Sequence, residues 1–324
     1  MKELKYVEAI TEALREEMRR DKKVIIIGEE VGVAGGAYKC TSGFYEEFGP
    51  ERVVDTPISE AAIVGAGIGA SLLGLRPIVE IMYMDFIPIA VEQIVNHAAK
   101  MCFMSGGQFE LPLVIRTQYG LGRAYGPQHS QFFPSWFLNT PGLFLALPST
   151  PYDAKGLLKS AIRANAPTIF IECASLYFKL KGPVPDEDLA IPFGKADVKR
   201  TGTDVTVVAI SRMVQEALEA ADELAKKKVS IEVVDPRTLI PLDKETIVES
   251  VKKTGRVVVT SDDVKTGGVC NEISRVIIEE AFSYLEAPIK CVAAAEMPVP
   301  SSRTLEQQYI PHKDKLIKAV NEII

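Results

Sequence analysis

Short apolar runs alternate with amphipathic segments along most of this chain, and this alternation restricts the possible folds more than any other feature. Strands that alternate with helices indicate a mostly parallel sheet covered by helices on both faces. In the first half, the sequence predicts a helix over residues 4–20, a strand over Val24–Ile27, strands in RPIVEIMY, LPLVIRT and PTIFIE, and helices over Pro88–Met104 and Pro151–Ala164.

The alternation resumes after a segment of different composition. Residues 181–203 are rich in proline, glycine and charge and lack periodicity, which is typical of a linker. Beyond them the sequence predicts strand DVTVVAI, helix Val214–Lys227, strand VSIEVVD, helix Lys244–Lys253, strand RVVVTS, helix Val269–Tyr284 and strand PIKCVAA. We therefore predict an α/β protein with two doubly wound, mostly parallel-sheet domains, residues 1–190 and 204–324, joined by a linker over residues 191–203.

Charge and cysteine usage exclude several classes of protein. The net charge of −6 argues against a nucleic-acid partner, because phosphate contacts need a basic surface. The five cysteines are an odd number and form no C-x-x-C pair, which favours free thiols in the cytoplasm. The N-terminal segment is charged and amphipathic, unlike a signal peptide, and no run of about 18 residues is apolar enough to span a membrane. We expect a cytoplasmic protein without a membrane partner.

A glycine-rich stretch, TPISEAAIVGAGIGAS at residues 56–71, fits the G-x-G-x-x-G/A fingerprint of dinucleotide sites through Gly65, Gly67 and Ala70. That fingerprint belongs in a tight turn between a strand and a helix. Here Pro57 excludes a regular strand end just before it, and Ser59 is a favourable N-cap. The stretch favours a tightly packed helix over residues 60–73, with the glycines allowing another backbone to approach. A nicotinamide-dependent oxidoreductase is the alternative.

Glu60 begins that helix, and its side chain shares a face with Ile63, Val64, Gly67 and Ser71. A carboxylate on such an apolar face is costly unless it has a partner. It could serve a ligand, or it could simply complement the helix dipole. The spacing leaves both interpretations open.

Three histidines and two residues after a predicted strand complete the set of candidates. His129 lies in the loop YGLGRAYGPQHSQ, and loops at strand ends often carry function, although a bond to backbone would also explain it. His97 shares a helical face with apolar residues and is predicted to pack in the core or an interface, whereas His312 is predicted at the surface. Met82 and Phe86 could contact a planar ligand or belong to the core. No metal or phosphate-loop motif occurs.

Several motifs occur in a fixed order: RDKKVIIIGEEVG, RVVDTPISE, GLRPIVEI, HSQ, PGL, PSTPYDAKGLL and VDPRTLIPLD. Together they resemble, over nearly the whole chain, the beta subunit of thiamine-diphosphate-dependent 2-oxo acid dehydrogenases. This family includes the pyruvate, branched-chain and acetoin dehydrogenases and is related to transketolase. The resemblance implies a pyrimidine-binding domain followed by a C-terminal domain. It also implies decarboxylation of a 2-oxo acid, or cleavage of acetoin, with transfer of the acyl group to a lipoyl acyltransferase.

The resemblance also implies roles for individual residues. Glu60 would hydrogen-bond the ring nitrogen of the cofactor's aminopyrimidine and promote the tautomer that deprotonates the thiazolium. Met82 and Phe86 would line the aminopyrimidine pocket, and His129 would face the substrate. A potassium ion would be bound by the backbone carbonyls of Leu113, Ala161, Ala164 and Ala166.

A missing motif bears on the partners. The family holds the cofactor's diphosphate through magnesium with a Gly-Asp-Gly motif, and GDG does not occur in this chain. The resemblance therefore implies that an alpha subunit supplies this half of the site, in an assembly of two alpha and two beta chains that is active only when complete. The acyltransferase would dock on the second domain.

Some positions depart from the family pattern. Pro134 and Asn139 stand where many members carry glutamate and histidine. Ser261-Asp262 replaces a frequent His-Glu, and Cys270-Asn271 replaces the usual Gly-Ala. These departures leave the substrate open, and a non-catalytic or altered-specificity subunit of the same fold is the alternative.

Overall fold

The computed structural model describes all 324 residues, which form two compact units. The first unit comprises Met1–Gly120 and Phe137–Phe193, and the second comprises Leu121–Trp136 and Gly194–Ile324. The sequence predicted contiguous domains, whereas the structure assigns the segment Leu121–Trp136 to the second unit. Its backbone is bound there by a glutamate far along the chain, as described below.

Strands and helices alternate through most of both units. The strands are β1 Lys2–Lys5, β2 Val24–Gly28, β3 Val53–Asp55, β4 Arg76–Ile81, β5 Val114–Tyr119, β6 Phe144–Ala146, β7 Thr168–Cys173, β8 Lys181–Val184, β9 Asp197–Arg200, β10 Val205–Ala209, β11 Ile231–Asp235, β12 Thr238–Ile240, β13 Val257–Val264 and β14 Lys290–Ala294. The helices are α1 Tyr6–Arg20, α2 Phe44–Phe48, α3 Glu60–Leu72, α4 Ile87–Glu92, α5 Ala99–Met104, α6 Ser135–Leu138, α7 Pro151–Arg163, α8 Met213–Ala225, α9 Lys244–Thr254, α10 Val269–Ala281, α11 Arg303–Tyr309 and α12 Lys313–Asn321. A π-helical segment, Gln93–Ala98, joins α4 to α5.

Each unit is built on a mostly parallel sheet, as predicted. The six strands of the first unit's sheet lie in the order β6-β7-β5-β4-β2-β3, and all their pairings are parallel. Strands β2, β5 and β7 are buried along their whole length, as expected when helices cover both faces. The second sheet has the order β14-β13-β10-β11-β9, in which only β9 is antiparallel.

Two local predictions differ from the structure. The first helix begins at Tyr6 rather than at residue 4, because residues 2–5 form β1 and pair antiparallel with β8. The segment predicted as a linker also contains β9, which forms the edge of the second sheet beside β11. Both strands depend on partners distant in sequence, so their own periodicity is weak.

Helix α3 begins at Glu60, as predicted, and buries the predicted face. The prediction that its glycines allow another backbone to approach is wrong, although the helix is closely packed at one of them. A Cβ on Gly67 would lie 2.6 Å from Val79 Cγ1 and 2.9 Å from Leu113 Cδ1, so side chains rather than a backbone restrict this position. A Cβ on Gly69 would meet no atom within 4 Å. Close packing therefore explains Gly67 but not Gly69.

A buried ion triad crosses the middle of the first sheet. The Arg116 side chain, 1% exposed, donates from Nη1 to Glu80 Oε2 at 2.7 Å and from Nε and Nη2 to the two oxygens of Glu172 at 2.7 and 2.9 Å. The Tyr177 hydroxyl donates to Glu172 Oε2 at 2.5 Å. Burial raises the pKa of Glu80, and Arg116 opposes that rise. The triad links β4, β5 and β7 by side chains as well as by backbone.

The two glycines of α3 provide a matched pair of substitutions. Gly69→Ala should raise the free energy of unfolding by up to about 1 kcal/mol, because alanine favours a helix more than glycine does. Gly67→Ala should be less stable than Gly69→Ala by about 1–3 kcal/mol, because its methyl group overpacks against Val79. Urea denaturation followed by circular dichroism measures both, and equal midpoints would contradict the packing explanation.

Candidate functional site

The carboxyl ends of the parallel strands in the first unit carry most of the candidate residues. Glu29 directly follows β2, Thr56 follows β3, and Met82 follows β4. In doubly wound sheets, ligands bind in the crevice at this edge. The topology therefore gathers these residues at the edge where a ligand is expected.

Glu60 lies at this edge as the first residue of α3, and it is only 5% exposed. Ser59 occupies the predicted N-cap position, and its carbonyl accepts a hydrogen bond from the Ile63 N–H at 2.9 Å. Its hydroxyl does not cap the helix but donates to the Pro57 carbonyl at 3.2 Å. The Glu60 carboxylate thus stands at a helix N-terminus, where the helix dipole favours negative charge.

Glu29 is a second carboxylate beside Glu60, and the sequence reasoning missed it. Its Oε1 is buried and has no hydrogen-bond partner. Burial raises the pKa of Glu29, and the negative charge of Glu60 raises it further. The signal was present, since Glu29 comes immediately after the buried strand in IIIGEE. The neighbouring charge of Glu60 thus favours the protonated form of Glu29.

The loop that carries Glu29 is held in place by its own backbone contacts. The Gly32 N–H donates to Asp55 Oδ1 at 2.6 Å, and a Cβ on Gly32 would lie only 2.5 Å from Asp55 Oδ2. Farther along, the Thr41 hydroxyl donates to the Val31 carbonyl at 2.7 Å. These contacts fix the loop after β2 against the end of β3.

Met82 and Phe86 are half-exposed, while Met84 between them is fully buried. They are therefore available for contact with a ligand rather than hidden in the core. Tyr83 is held by Tyr38, whose hydroxyl donates to that of Tyr83 at 3.2 Å with the rings nearly perpendicular. Apolar side chains thus lie at the end of β4, next in the sheet to the strand that precedes Glu29.

His129 belongs to the second unit, whereas Glu60, Met82 and Phe86 belong to the first. It is half-buried, and its backbone N–H donates to the Gly126 carbonyl at 3.4 Å. The same loop is held by Glu306, which is 1% exposed and whose carboxylate accepts the N–H groups of Gly122 and Ala124 at 3.0 and 2.8 Å. Sequence reasoning missed Glu306, because its partners lie more than 180 residues earlier and leave no local pattern.

The carbonyls predicted to bind potassium already accept hydrogen bonds. That of Leu113 accepts from the Thr168 N–H at 2.8 Å, and that of Ala164 accepts from Arg76 Nη2 at 2.6 Å. The carbonyls of Ala161 and Ala166 also accept hydrogen bonds. A potassium ion at Ala164 would share that oxygen with a guanidinium, and like charges repel. This arrangement does not favour potassium.

The positions of the glycine fingerprint, His97 and His312 bear on the remaining sequence predictions. Gly65, Gly67 and Ala70 lie inside α3 rather than in a turn between strand and helix, which removes the basis of the dinucleotide alternative. His97 is exposed, with Nε2 3.2 Å from Glu92 Oε1, so the core interpretation is wrong and the interface interpretation stays a prediction. His312 is half-buried at the start of α12.

No group of three or more histidine, cysteine, aspartate or glutamate side chains is placed to hold a metal ion. No helix is both long and apolar enough to cross a membrane.

Two family models match the chain, one for each part of the fold. Residues 2–179 match the pyrimidine-binding domain of transketolase, and residues 194–316 match its C-terminal domain. A solved structure of a split-gene transketolase, an inactive beta4 tetramer, superposes with a TM-score of 0.81 at 23% identity and covers 99% of this chain and 98% of its own. The predicted transketolase-like fold with two α/β domains is thereby confirmed.

Curated relatives align with the chain from end to end. The beta subunit of 2-oxoisovalerate dehydrogenase from Bacillus subtilis (strain 168) is 45% identical, covering 100% of this chain and 99% of its own. The mitochondrial pyruvate dehydrogenase E1 subunit beta-1 of Arabidopsis thaliana is 43% identical, covering 98% and 88%. The beta subunit of acetoin:2,6-dichlorophenolindophenol oxidoreductase from Bacillus subtilis (strain 168) is 42% identical, covering 98% and 96%.

The contribution of the Glu306 carboxylate to the order of the His129 loop can be measured by hydrogen exchange. Glu306→Ala should speed amide hydrogen exchange at Gly122 and Ala124 by more than about tenfold, because a hydrogen bond to a charged group contributes about 1.5–3 kcal/mol. Glu296→Ala is the control, since the exposed Glu296 accepts the Thr266 N–H at 2.8 Å elsewhere in the same unit. Unchanged exchange at Gly122 would mean that other contacts hold this loop.

Proposed function

Because this chain belongs to the beta subunits of thiamine-diphosphate-dependent 2-oxo acid dehydrogenases, we propose that Glu60 binds the ring nitrogen of the cofactor's aminopyrimidine and exchanges a proton with it. One observation carries this proposal: the buried carboxylate of Glu60 stands at a helix start beside a second carboxyl group, Glu29, that has an unpartnered buried oxygen. Such a pair suits a planar base that both accepts and donates hydrogen bonds.

The residues at the strand ends fit the pyrimidine half of the cofactor. The buried oxygen of Glu29 needs a donor, which an amino group would supply. Met82 and Phe86 offer half-exposed apolar surface for the face of an aromatic ring. When bound, thiamine diphosphate supplies the nucleophilic carbon and the electron sink that decarboxylation requires.

The two carboxyl groups would divide the work. Glu60 holds or releases a proton at its carboxylate oxygen, where the largely buried setting strengthens a short contact with a ring nitrogen. Glu29 has a raised pKa and keeps a proton more readily than an ordinary glutamate, which limits the repulsion that Glu60 feels. Proton transfer at Glu60 therefore avoids placing two full negative charges side by side.

His129 would face the substrate and transfer a proton to or from its oxygen. The half-buried position in a loop held by Glu306 supports this role, since a loop fixed at its base can present one side chain repeatedly in the same place. Pro134 and Asn139, which depart from the family pattern, flank the same part of the sequence and would adjust which substrate is accepted.

The partners follow from what this chain lacks in its sequence. An alpha subunit would supply the Gly-Asp-Gly motif, hold magnesium and the diphosphate, and complete an assembly of two alpha and two beta chains that is active only when whole. A lipoyl acyltransferase would accept the acyl group. The substrate would be pyruvate, a branched-chain 2-oxo acid or acetoin, since relatives at 42–45% identity are named for 2-oxoisovalerate, pyruvate and acetoin.

Two further proposals concern the surroundings of the protein. We place it in the cytoplasm, supported by five free cysteines. A potassium ion would have to use the remaining lone pairs of carbonyls beside Arg76, and no step proposed above depends on it.

Glu60→Gln tests the central group. Glutamine keeps the shape and the helix start, so assembly with the alpha chain should survive, but it cannot exchange a proton as a carboxyl group does. Turnover in the assembled complex should fall by at least about a hundredfold, the low end for proton-transfer catalysis. Deuterium exchange at the thiazolium carbon of bound cofactor, read by NMR after rapid quench, should slow in parallel.

The matched control is Glu30→Gln, which removes an exposed carboxylate from the neighbouring position of the Glu29 loop. It should leave both rates within a few-fold of the unmodified complex. Gel filtration verifies that each variant assembles. If deuterium exchange at the thiazolium carbon stayed rapid in an intact Glu60→Gln complex, Glu60 would have only a structural role at the helix start. That result would contradict the proposal.

His129→Ala tests the substrate role separately. Turnover in the complex should fall by about a hundredfold to ten-thousandfold if His129 transfers a proton, while cofactor affinity stays nearly unchanged. Steady-state kinetics and calorimetric titration with thiamine diphosphate and magnesium measure the two quantities. Turnover within a few-fold of the unmodified complex would return His129 to a structural role in its loop.

A further inference from the structure

Two cysteines of the second unit lie beside the same residue, Val259 on β13. Cys270 is the buried second residue of α10, and Cys291 is the half-exposed second residue of β14. Val259 on β13 lies between them: its Cα pairs with that of Cys291 in the parallel ladder, and its carbonyl accepts the Cys270 thiol at 3.6 Å. Each thiol shifts the pKa of the other, as expected for cysteines that are neighbours in space. Backbone elements thus place both cysteines beside Val259.

Only one of the two thiols faces solvent. Cys291 lines a cavity of about 830 Å³, together with Lys265, Asn271, Ile278 and Phe282 among others. Cys270 does not line this cavity and is buried in the first turn of α10. A small reagent can therefore reach Cys291 first, and Cys270 can react only in a second step.

The surrounding charges divide the protons between the two thiols. The neighbouring Cys270 thiol lowers the pKa of Cys291, and the ammonium group of Lys265 lowers it further. The neighbouring Cys291 and burial raise the pKa of Cys270. The nearby carboxyl group of Asp263 opposes ionisation of both. Cys291 therefore ionises more easily than Cys270, and the thiolate is the nucleophilic form of cysteine.

We propose that Cys270 and Cys291 form a redox modification site at which a hydroperoxide converts the pair to a disulfide. The Cys291 thiolate attacks one peroxide oxygen, the O–O bond breaks, and an alcohol, or water from hydrogen peroxide, leaves after taking up a proton. The sulfenic acid on Cys291 is then attacked by the sulfur of Cys270, whose proton leaves with the hydroxyl group as water. The thiol pair loses two electrons, and the peroxide gains them.

The disulfide would tie the first turn of α10 to the edge strand of the second sheet. It would close a loop of about 20 residues, which stabilises a fold mainly by restricting the unfolded chain. Two hydrogen bonds already hold that turn. The Val269 N–H donates to Asp263 Oδ2 at 2.8 Å, and the Asn271 side chain donates to the Lys265 carbonyl at 2.8 Å. Oxidation would thus lock the loop that contains Lys265.

The test uses the full chain with Cys102→Ser, which removes an exposed cysteine that would link separate molecules. Four of the five cysteines then remain. The reduced protein is treated with hydrogen peroxide, its free thiols are blocked with a maleimide, and proteolytic peptides are identified by mass spectrometry. We expect the free thiols to fall from four to two, a peptide pair that joins residues 270 and 291, and full reversal by dithiothreitol.

Two single variants in the same background separate the steps. In Cys270→Ser, the sulfenic acid cannot close a disulfide, so dimedone should label Cys291. In Cys291→Ser, Cys270 should stay unmodified because it is buried. The disulfide measurement does not depend on whether these two variants fold, because it uses the chain that carries only Cys102→Ser. Cys102 is exposed, so this substitution should not disturb the fold.

The proposal is overturned if peroxide modifies Cys102 in the unmodified chain while no 270–291 disulfide forms. It is also overturned if Cys291 of a folded Cys270→Ser variant gives no dimedone adduct. These measurements need neither cofactor nor partner, so their outcome is independent of the function proposed for Glu60 and His129.

Discussion

The ion triad of Arg116, Glu80 and Glu172 is the constraint on which the first unit depends. Removing these charges from water costs several kcal/mol for each ion, and only complete pairing with hydrogen bonds offsets that cost. Arg116 pairs in register with Glu80 on β4, and Glu172 lies on β7 on the other side. A slip of one residue would turn the guanidinium to the opposite face, away from both carboxylates. The triad therefore allows one register of the three central strands.

That register determines where the candidate site lies. Glu80 comes two residues before Met82, so the strand position that binds Arg116 also sets where the chain leaves the sheet. On the neighbouring strand, a Cβ at Gly28 would lie 3.0 Å from the Glu80 carbonyl, which requires a residue without a side chain immediately before Glu29. The carboxyl group of Glu29 and the side chain of Met82 thus emerge from elements fixed by the same buried charges. A site on such rigid elements holds its geometry without a ligand.

Local chemistry made part of this structure predictable. Pro57 and Ser59 gave the start of α3, and the apolar runs gave the parallel strands, because both signals act within a few residues. The strand pair β1 and β8 and the anchoring of the His129 loop by Glu306 were missed, because their partners lie about 180 residues apart and neither segment shows the contact alone. Glu29 had a local signal, a carboxylate at a strand end. Its importance appears only when the fold brings Glu60 beside it.

The pair of Glu29 and Glu60 also explains why this edge of the sheet is unsatisfied in the chain alone. Burial and the negative charge of Glu60 both disfavour the ionised form of Glu29, and one oxygen of Glu29 has no hydrogen-bond donor. A fold selected only for stability would replace such a pair with apolar residues. A ligand that donates one hydrogen bond, shares one proton and carries positive charge removes all three penalties at once. Under the function proposed for Glu60, binding of such a ligand would therefore be favoured at this edge over binding of an anion.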